Sequence, residues 1–415
     1  MLLDRKLSKI VKITNSKLFG KDLVFKRIST DTRTLKKGDL FLALKGENFD
    51  GHDFIEKAIS KGASSIVSEK DLSFKISYIK TKNNLLFLKK LAEQIRKNFK
   101  GTIFAITGSN GKTSTKEISF LILSHIFGKK KIFKSPKNWN NELGLYFSLL
   151  ELESNHNYAV FELGTNFPGE IDALSKLLKP HHGLITNIGR SHLEFLKNLE
   201  GVANEKSELF KNVQKTGFCF VRAQDQFRKI LFDKAKGKNL IFLKNDKKEI
   251  FDLNFDASIK IIEAALNPEI SAVEKNKLKN NIKKIIKVPG RMEQKVGPKN
   301  TTIIDDSYNA NPDSFLAAFN EISKLSFKKK ICVMGKMGEL GKNSTQLHDS
   351  VIKESLNYFD LIFCVDFESR ISDEKIKYIS KSEVQKHIKG FFGIDTLILF
   401  KASRSVKMES VIKLA

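Results

Sequence analysis

One stretch of the chain, residues 101–118, constrains the fold more than any other. An apolar, β-branched run from Thr102 to Ile106 leads into a glycine-rich turn, and a lysine, hydroxyl residues and a helix-like segment follow. This order is typical of loops that hold phosphate groups, because glycines let backbone N–H groups turn inward and a helix N-terminus attracts anions. The candidate phosphate-binding residues are Gly108, Ser109, Asn110, Gly111, Lys112, Thr113 and Ser114.

The loop is a variant of the Walker A pattern. A strict pattern needs glycine five residues before Gly111, and that position is Ile106. A glycine-rich turn before an ordinary helix is the alternative interpretation. Lysine and threonine directly after the glycine favour phosphate binding, in which Lys112 reaches the outer phosphates and Thr113 can ligate Mg²⁺. The sequence therefore predicts a nucleotide-binding α/β domain.

The composition indicates a large protein of several domains. The chain has 415 residues, enough for about two to four domains, and a formal net charge of +26. Its lysines are scattered, which favours solvated faces and anionic small substrates, and a polyanionic partner such as nucleic acid is the open alternative. No apolar run is long enough to span a membrane, the first residues do not resemble a signal peptide, and the three cysteines lie in apolar runs. We expect a cytoplasmic protein with no membrane span.

Strands alternate with helices along the whole chain, which predicts an α/β fold. We expect a first strand at residues 25–28, one long helix at residues 194–210 and a helix at residues 257–266. Residues 288–291 (Val-Pro-Gly-Arg) form a natural boundary. The predicted domains are residues 1–83, 84–287 and 288–415.

Several polar residues follow predicted strands. Glu162 ends one strand after the phosphate loop, where a nucleotide site places an acid for Mg²⁺, and His192 follows the next strand. His192 has a structural interpretation as well as a functional one. Residues 29–33 (STDTR) could hold a phosphate or form a surface turn, and Lys206 alone looks like a salt-bridged surface lysine.

Taken together, these motifs resemble the Mur ligase family from end to end. The segments that carry the resemblance are STDTR at 29–33, LFLALKGENFDGHDF at 40–54, TGSNGKTSTKE at 107–117, NWNNELG at 138–144, FELGTNFPGEI at 161–171, TNIGRSHLEFL at 186–196, PGRME at 289–293, DDSYNANPDS at 305–314, MGELG at 337–341 and ASRSVKMESVI at 402–412. SYNANPDS, FDGHDF and the last segment are similar to the branch that adds D-alanyl-D-alanine.

The resemblance implies a small α/β UDP-binding domain, a central P-loop ATPase with a mostly parallel sheet and a Rossmann-like C-terminal domain. It implies an ATP-dependent amide ligase of peptidoglycan precursor synthesis. ATP would phosphorylate the terminal carboxylate of UDP-N-acetylmuramoyl-tripeptide, and the amine of D-alanyl-D-alanine would attack the acyl phosphate. No nucleic acid would take part, and we expect a monomer.

The resemblance also implies roles for individual residues. Thr113 and Glu162 would hold one Mg²⁺, and His192 would lie near a second. Lys206 would carry a carbamate formed with CO₂, which turns a cation into an oxygen ligand for a hard metal. The catalytic residues would be Lys112, His192 and Lys206. The implied nucleotide contacts from the C-terminal domain are Arg291, Asp306 and Asn309, and the implied substrate-binding residues are Ser29, Thr30, Asp31, Arg33, Asp50, His52, Asn138, Asn140 and Asn141.

The chain departs from the family pattern at Lys336, which stands where relatives carry an acid before MGELG. Alternatives to the dipeptide ligase are a sister ligase that adds a single amino acid, a folylpolyglutamate synthase, or a basic P-loop ATPase acting on nucleic acid. Residues 40–54 argue against the folate enzyme, which lacks this UDP-binding domain. The ATPase would need an Asp-Glu pair after a strand of the phosphate-loop domain, where this chain has Glu162 before leucine.

Overall fold

The structure is a computed structural model that describes residues 2–46, 48–222, 225–244, 249–367 and 371–412, without the side chain of Asp225. Its residue contacts form two compact units. The first unit holds residues 1–102 and 130–159, and the second holds residues 103–129 and 160–415. Among the described residues, no helix combines the length and apolar character that crossing a membrane requires.

The N-terminal part of the first unit is a small α/β sheet domain. Its strands are β1 (Lys17–Phe19), β2 (Ile28–Ser29), β3 (Leu40–Leu42), β4 (Ser65–Ser68) and β5 (Tyr78–Lys80), and its helices are α1 (Leu7–Thr14), α2 (Ile55–Ser60) and α3 (Asn84–Asn98). The strand order is β1-β5-β4-β3-β2, parallel except for β1. The predicted strand at residues 25–28 is largely wrong, because pairing with β3 begins only at Ile28.

The middle of the chain supplies the phosphate-loop domain. Its strands are β6 (Thr102–Thr107), β8 (Tyr158–Glu162), β9 (His182–Ile185), β10 (Phe218–Val221) and β11 (Asn239–Phe242), whereas β7 (Ile132–Lys134) lies in the first unit. Its helices are α4 (Lys112–Phe127), α6 (Glu170–Leu178), α7 (Leu193–Leu196), α8 (Leu199–Asn212), α9 (Arg228–Lys234), α10 (Ile250–Leu266) and α11 (Ala272–Ile285), whereas α5 (Glu142–Leu150) lies in the first unit. Within the second unit the strand order is β11-β10-β9-β6-β8, with parallel pairing from β11 to β6.

The C-terminal part of the second unit is a doubly wound domain. Its strands are β12 (Glu293–Val296), β13 (Thr302–Asp306), β14 (Lys329–Gly335), β15 (Leu361–Val365), β16 (Ile376–Ile379) and β17 (Thr396–Lys401), and its helices are α12 (Pro312–Ser323), α13 (Ser344–Ser355), α14 (Val384–Ile388) and α15 (Glu409–Ile412). The order is β12-β13-β17-β14-β15-β16, and only the edge strand β12 is antiparallel. Separate apolar clusters cover the two faces of this sheet.

The α/β fold class, with three mostly parallel sheets, is confirmed. One predicted element is wrong: the single helix at residues 194–210 is two helices, α7 and α8. The break occurs because Lys197 has a φ of +70° and the Asn198 side chain accepts a hydrogen bond from Gly201 N at 2.8 Å. An asparagine that caps a new helix start competes with continuation of the old helix. The helix predicted at residues 257–266 is present and starts earlier, as α10.

His182 packs inside the central sheet as a neutral ring. Its Nδ1 accepts a hydrogen bond from Phe218 N at 3.2 Å, and the ring stacks on Phe104 at 5.2 Å between centroids. Burial, with a smaller contribution from the neighbouring His181, lowers the pKa of His182 from 6.5 to about 4. At pH values between about 4 and 6.5, His182 is therefore protonated in the unfolded chain and neutral in the folded chain.

This shift predicts a loss of stability in mild acid. As the pH falls from 6.5 to about 4, His182 should remove roughly 2 kcal/mol from the free energy of unfolding. In His182→Gln, whose amide oxygen can still accept from Phe218 N, that part of the pH dependence should vanish. Urea unfolding at pH 7 and at pH 4.5 measures it, with the exposed His125→Gln as control. An equal fall in the free energy of unfolding between the two pH values in all three proteins would contradict the role of His182.

Candidate functional site

The loop between β6 and α4 is folded tightly around the lysine that follows it. Lys112 Nζ donates to the carbonyl of Gly108 at 2.8 Å and to that of Ser109 at 3.3 Å. Burial lowers the pKa of Lys112 to about 8, Glu162 opposes the shift, and Arg291 adds to it. The ammonium is therefore held over the loop, where a bound phosphate group would stabilise its positive charge.

Gly108 fits this loop only because it lacks a side chain. Its φ is +145°, a region that L-residues rarely adopt, and a Cβ there would overlap the hydroxyl of Thr186. Thr186 in turn donates to Asn110 O at 2.6 Å. The end of β9 thus holds the phosphate loop from behind.

A hydroxyl and a carboxylate meet at the start of α4. Thr113 Oγ1 donates to Glu162 Oε2 at 2.9 Å, and both side chains are buried. The ammonium of Lys116, which is fully buried, lies 3.8 Å from the same carboxylate oxygen. Hard oxygen donors of this kind suit Mg²⁺, which takes few protein ligands and completes its shell with water and phosphate. Among the described residues no group of three or more His, Cys, Asp or Glu forms a metal cluster by itself.

His192 faces a glutamate from the C-terminal domain. Its Nδ1 lies 2.5 Å from Glu339 Oε2, and burial lowers the pKa of His192 while Glu339 opposes that shift. Both residues have positive φ, +54° for His192 and +60° for Glu339, and Glu194 N donates to Glu339 O at 3.0 Å. A carboxylate against one ring nitrogen is the usual way to orient a metal-binding histidine. The sequence singled out the MGELG segment, but not this side chain.

Lys206 is buried on α8, contrary to the salt-bridged surface lysine that the residue alone suggested. It is 1% exposed, and no hydrogen bond or ion pair joins its ammonium to any residue that the structure describes. Burial lowers its pKa well below the ordinary value, and the charge of Lys112 adds to the effect. The adjacent Glu205 accepts instead from Gly169 N at 2.6 Å and Ile171 N at 2.8 Å, at the start of α6.

One arginine of the C-terminal domain reaches the phosphate loop. Arg291 Nη2 donates to Thr113 Oγ1 at 3.3 Å, and its guanidinium lies 4.3 Å from the ring centroid of Tyr308. Asp306, by contrast, binds Lys401 Nζ at 2.5 Å and accepts from Met292 N at 3.1 Å. Within the described part of the chain, Asp306 makes no hydrogen bond or ion pair with the loop.

Asn309 and Lys336 border the same end of the C-terminal sheet. Asn309 is exposed, and its carbonyl accepts from Lys401 Nζ at 3.2 Å. Lys336 follows β14, and its carbonyl accepts from Ser403 N at 3.0 Å. Ser114 lies half-buried on the first turn of α4.

Two further pairs join the phosphate-loop region to the start of α12. Asn110 and Asn311 exchange amide hydrogen bonds at 2.9 and 3.3 Å. Arg190 binds Asp313 through its backbone N at 2.5 Å, through Nε at 2.9 Å and through Nη2 at 2.6 Å. Sequence reasoning missed both pairs, since each joins segments far apart in the chain.

In the first unit, Asp31 and Arg33 form an exposed ion pair at 2.7 Å. Hydrogen bonds from Arg33 lower the pKa of Asp31 to about 2, and Ser29 Oγ donates to Asp31 O at 3.2 Å. Arg33 is 85% exposed, so the surface-turn interpretation describes it as well as a phosphate site does. Thr30 is half-buried beside them.

Asp50 and His52 form a second polar pair of the first unit. His52 Nδ1 lies 2.6 Å from Asp50 Oδ1, and Lys70 Nζ lies 3.2 Å from Asp50 Oδ2. Hydrogen bonds from His52 hold the pKa of Asp50 well below its usual range. Asp50 is therefore held between His52 and Lys70.

In the asparagine-rich loop, Asn141 has a structural task. Its side chain accepts from Gly144 N at 2.9 Å and caps α5. Asn138 is exposed and Asn140 half-buried. Trp139 lies between them, with its ring centroid 5.9 Å from that of Phe147.

Comparison with known proteins agrees with this architecture. Residues 24–95 match the description "Mur ligase family, catalytic domain", residues 106–294 "Mur ligase middle domain" and residues 290–412 "Mur ligase, glutamate ligase domain". A UDP-N-acetylmuramoyl-tripeptide–D-alanyl-D-alanine ligase from Rickettsia prowazekii is 33% identical over 93% of this chain and 94% of its own length. The chain belongs to the Mur ligase family.

Two solved structures are similar along nearly the whole chain. MurF from Acinetobacter baumannii has a TM-score of 0.86 at 27% identity and covers 99% of this chain and 98% of its own. MurF ligase from Thermotoga maritima, solved in complex with ADP, has a TM-score of 0.78 at 29% identity and covers 95% of this chain and 98% of its own.

The close approach at Gly108 predicts a large effect of one methyl group. Gly108→Ala should lower the free energy of unfolding by about 2–4 kcal/mol, because the side chain adds backbone strain to a clash with Thr186. Gly128 also has positive φ but nothing within 4 Å of its would-be Cβ, so Gly128→Ala should cost only about 1 kcal/mol. Urea unfolding followed by circular dichroism compares the two. Equal losses would show that Thr186 does not constrain the loop.

Proposed function

We propose that this protein is an ATP-dependent ligase that joins D-alanyl-D-alanine to UDP-N-acetylmuramoyl-tripeptide in peptidoglycan precursor synthesis. The observation that carries the proposal is the convergence of Lys112, Thr113, Glu162 and His192 with Arg291 and the 337–341 segment at one phosphate loop. Full-length relatives and structural neighbours with this enzyme name support the same conclusion. They do not favour the sister ligases or a nucleic-acid ATPase.

The chemistry requires activation of a carboxylate, which is a poor electrophile. Transfer of the γ-phosphoryl group of ATP gives an acyl phosphate, and attack by the dipeptide amine then releases phosphate. The protein's share is positioning and charge neutralisation. Lys112 would face the outer phosphates from above the loop, and Arg291 would approach from the C-terminal domain beside Thr113.

Thr113 and Glu162 would hold Mg²⁺, and the ion would neutralise phosphate charge. Their buried 2.9 Å contact offers two hard oxygen donors next to the loop. His192, oriented by Glu339, would serve a second ion. Gly108, Ser109, Asn110, Gly111 and Ser114 would complete the nucleotide loop.

Lys206 would act as a carbamate. Only the neutral amine reacts with CO₂, and the burial that lowers the pKa of Lys206 favours that neutral form. An anionic carbamate would face the cation of Lys112 in place of an unfavourable pair of like charges.

The remaining substrate contacts follow the family pattern. UDP would bind to residues 1–83, at Ser29, Thr30, Asp31, Arg33, Asp50 and His52, and the muramoyl peptide would meet Asn138, Asn140 and Asn141. Residues 84–287 would form the ligase domain that binds ATP. Residues 288–415 would complete the nucleotide site, with Asp306 and Asn309 acting near the nucleotide through their shared partner Lys401.

The protein would work as a monomer in the cytoplasm, where nucleotide-linked precursors and ATP are available. Its cysteines Cys219, Cys332 and Cys364 are buried and unpaired, which suits a reducing compartment. The positive charge would serve anionic substrates, not nucleic acid.

Phosphate release from ATP tests the proposal directly. Release should require both UDP-N-acetylmuramoyl-tripeptide and D-alanyl-D-alanine, because the acyl phosphate turns over only when the amine attacks it. Each substrate is omitted in turn, and single amino acids replace the dipeptide in a parallel series. Equal release without the dipeptide, or release that needs nucleic acid, would overturn the proposal.

Lys206→Ala should lower kcat by at least about 100-fold, and a short carboxylic acid such as acetate should restore part of it by replacing the carbamate. Lys206→Arg, which keeps a cation but cannot be carbamylated, should stay inactive. A carbamate ¹³C resonance from labelled CO₂ should appear in the wild type and not in the variants. Lys211→Ala, on the exposed face of the same helix, is the control. Full activity with alanine would refute the carbamate.

A further inference from the structure

Arg190 and Asp313 form an unusually well-connected ion pair. Asp313 accepts three hydrogen bonds from Arg190, at 2.5, 2.6 and 2.9 Å, and one of them comes from the backbone. The two side chains are 30% and 33% exposed. An ordinary surface ion pair contributes little, but a forked, partly buried contact with several charge-assisted hydrogen bonds is stronger and more directional.

The pair is linked to the phosphate loop through Gly189. A Cβ at Gly189 would lie 2.6 Å from Asp313 Oδ2, so the carboxylate approaches the backbone as closely as a glycine permits. Gly189 N donates to Ser109 Oγ at 3.0 Å, and Ser191 Oγ donates to the same oxygen at 2.8 Å. One residue therefore separates the ion pair from the loop that would hold phosphate.

A second contact runs from the loop to the same helix start. Asn311 caps α12, since its Oδ1 accepts from Ser314 N at 2.8 Å, and it exchanges amide hydrogen bonds with Asn110. The first turn of α12 thus touches the loop region at two points, Asn311 and Asp313. Two contacts from one rigid helix end fix its orientation as well as its distance.

We propose that Arg190 and Asp313 are positioning residues that hold α12 and its domain against the phosphate loop, so that Arg291 and Glu339 remain at Thr113 and His192. The role deepens the proposed ligase function and rests on it. Without the pair, the arrangement that brings Arg291 to Thr113 is less populated. Apparent nucleotide affinity falls with that population, and so does turnover.

Direct binding of phosphate by Arg190 is the competing role. Its Nε and Nη2 are both engaged with Asp313, which favours positioning. The two roles differ in what happens when Asp313 alone is changed, because Asp313→Asn leaves the arginine charged and free to bind an anion.

The test is a double-mutant cycle with Arg190→Gln, Asp313→Asn and the double variant. Isothermal titration with ADP gives Kd, and phosphate release gives kcat and KM for ATP. Each single variant should weaken ADP binding and raise KM about tenfold, and the double variant should be no worse than either single one. Arg190→Lys, which keeps the charge without the fork, should fall between. Thermal unfolding verifies that each variant is folded.

Lys279→Gln is the control. Lys279 on α11 forms a similarly buried ion pair with Asp252 on α10, at 2.9 Å. This variant should bind ADP like the wild type. Normal ADP binding by Asp313→Asn, or single effects that multiply in the double variant, would overturn the inference. Coupled ADP affinities without dipeptide-dependent phosphate release would support the pair and defeat only the ligase proposal. An active wild type with unaltered variants would defeat only the pair.

Discussion

The carboxylate of Glu162 is the point at which the buried charges of the central domain meet. It binds the Thr113 hydroxyl, lies near the fully buried Lys116, and raises the pKa of Lys112 against the effect of burial. A buried charge is stable only when its partners are in place, so strand β8 and helix α4 must keep their relative position. This requirement also constrains the geometry of the phosphate loop, which lies between β6 and α4.

The C-terminal domain adds groups of both signs to this centre. Arg291 approaches Thr113, while Glu339 approaches His192. Each contact pairs a residue of the phosphate-loop domain with one from beyond residue 288. Neither domain alone therefore contains all four of these residues. The mutual orientation of the two domains therefore decides whether Arg291 reaches Thr113 and Glu339 reaches His192.

The sequence predicted the features whose geometry is local. The strand, glycine turn, lysine and helix of residues 101–118 lie within one βα unit, and Glu162 follows a strand whose end must face the same edge. The sequence did not predict contacts between residues that are far apart in the chain. Nothing in the chain near Glu339 shows that it meets His192, Lys116 looks like an ordinary helix lysine, and the break before α8 depends on one asparagine cap. Such contacts depend on tertiary packing, which periodicity does not contain.

The amide pair between Asn110 and Asn311 spans 201 positions of the chain. Closing so long a loop carries a larger entropic penalty than a contact between elements that are neighbours in the chain. During synthesis the phosphate loop leaves the ribosome long before α12 does. A growing chain therefore passes through a stage in which the loop has been synthesised and Arg291 and Glu339 have not. The contacts of Thr113 with Arg291 and of His192 with Glu339 can form only once the last third of the polypeptide has been made.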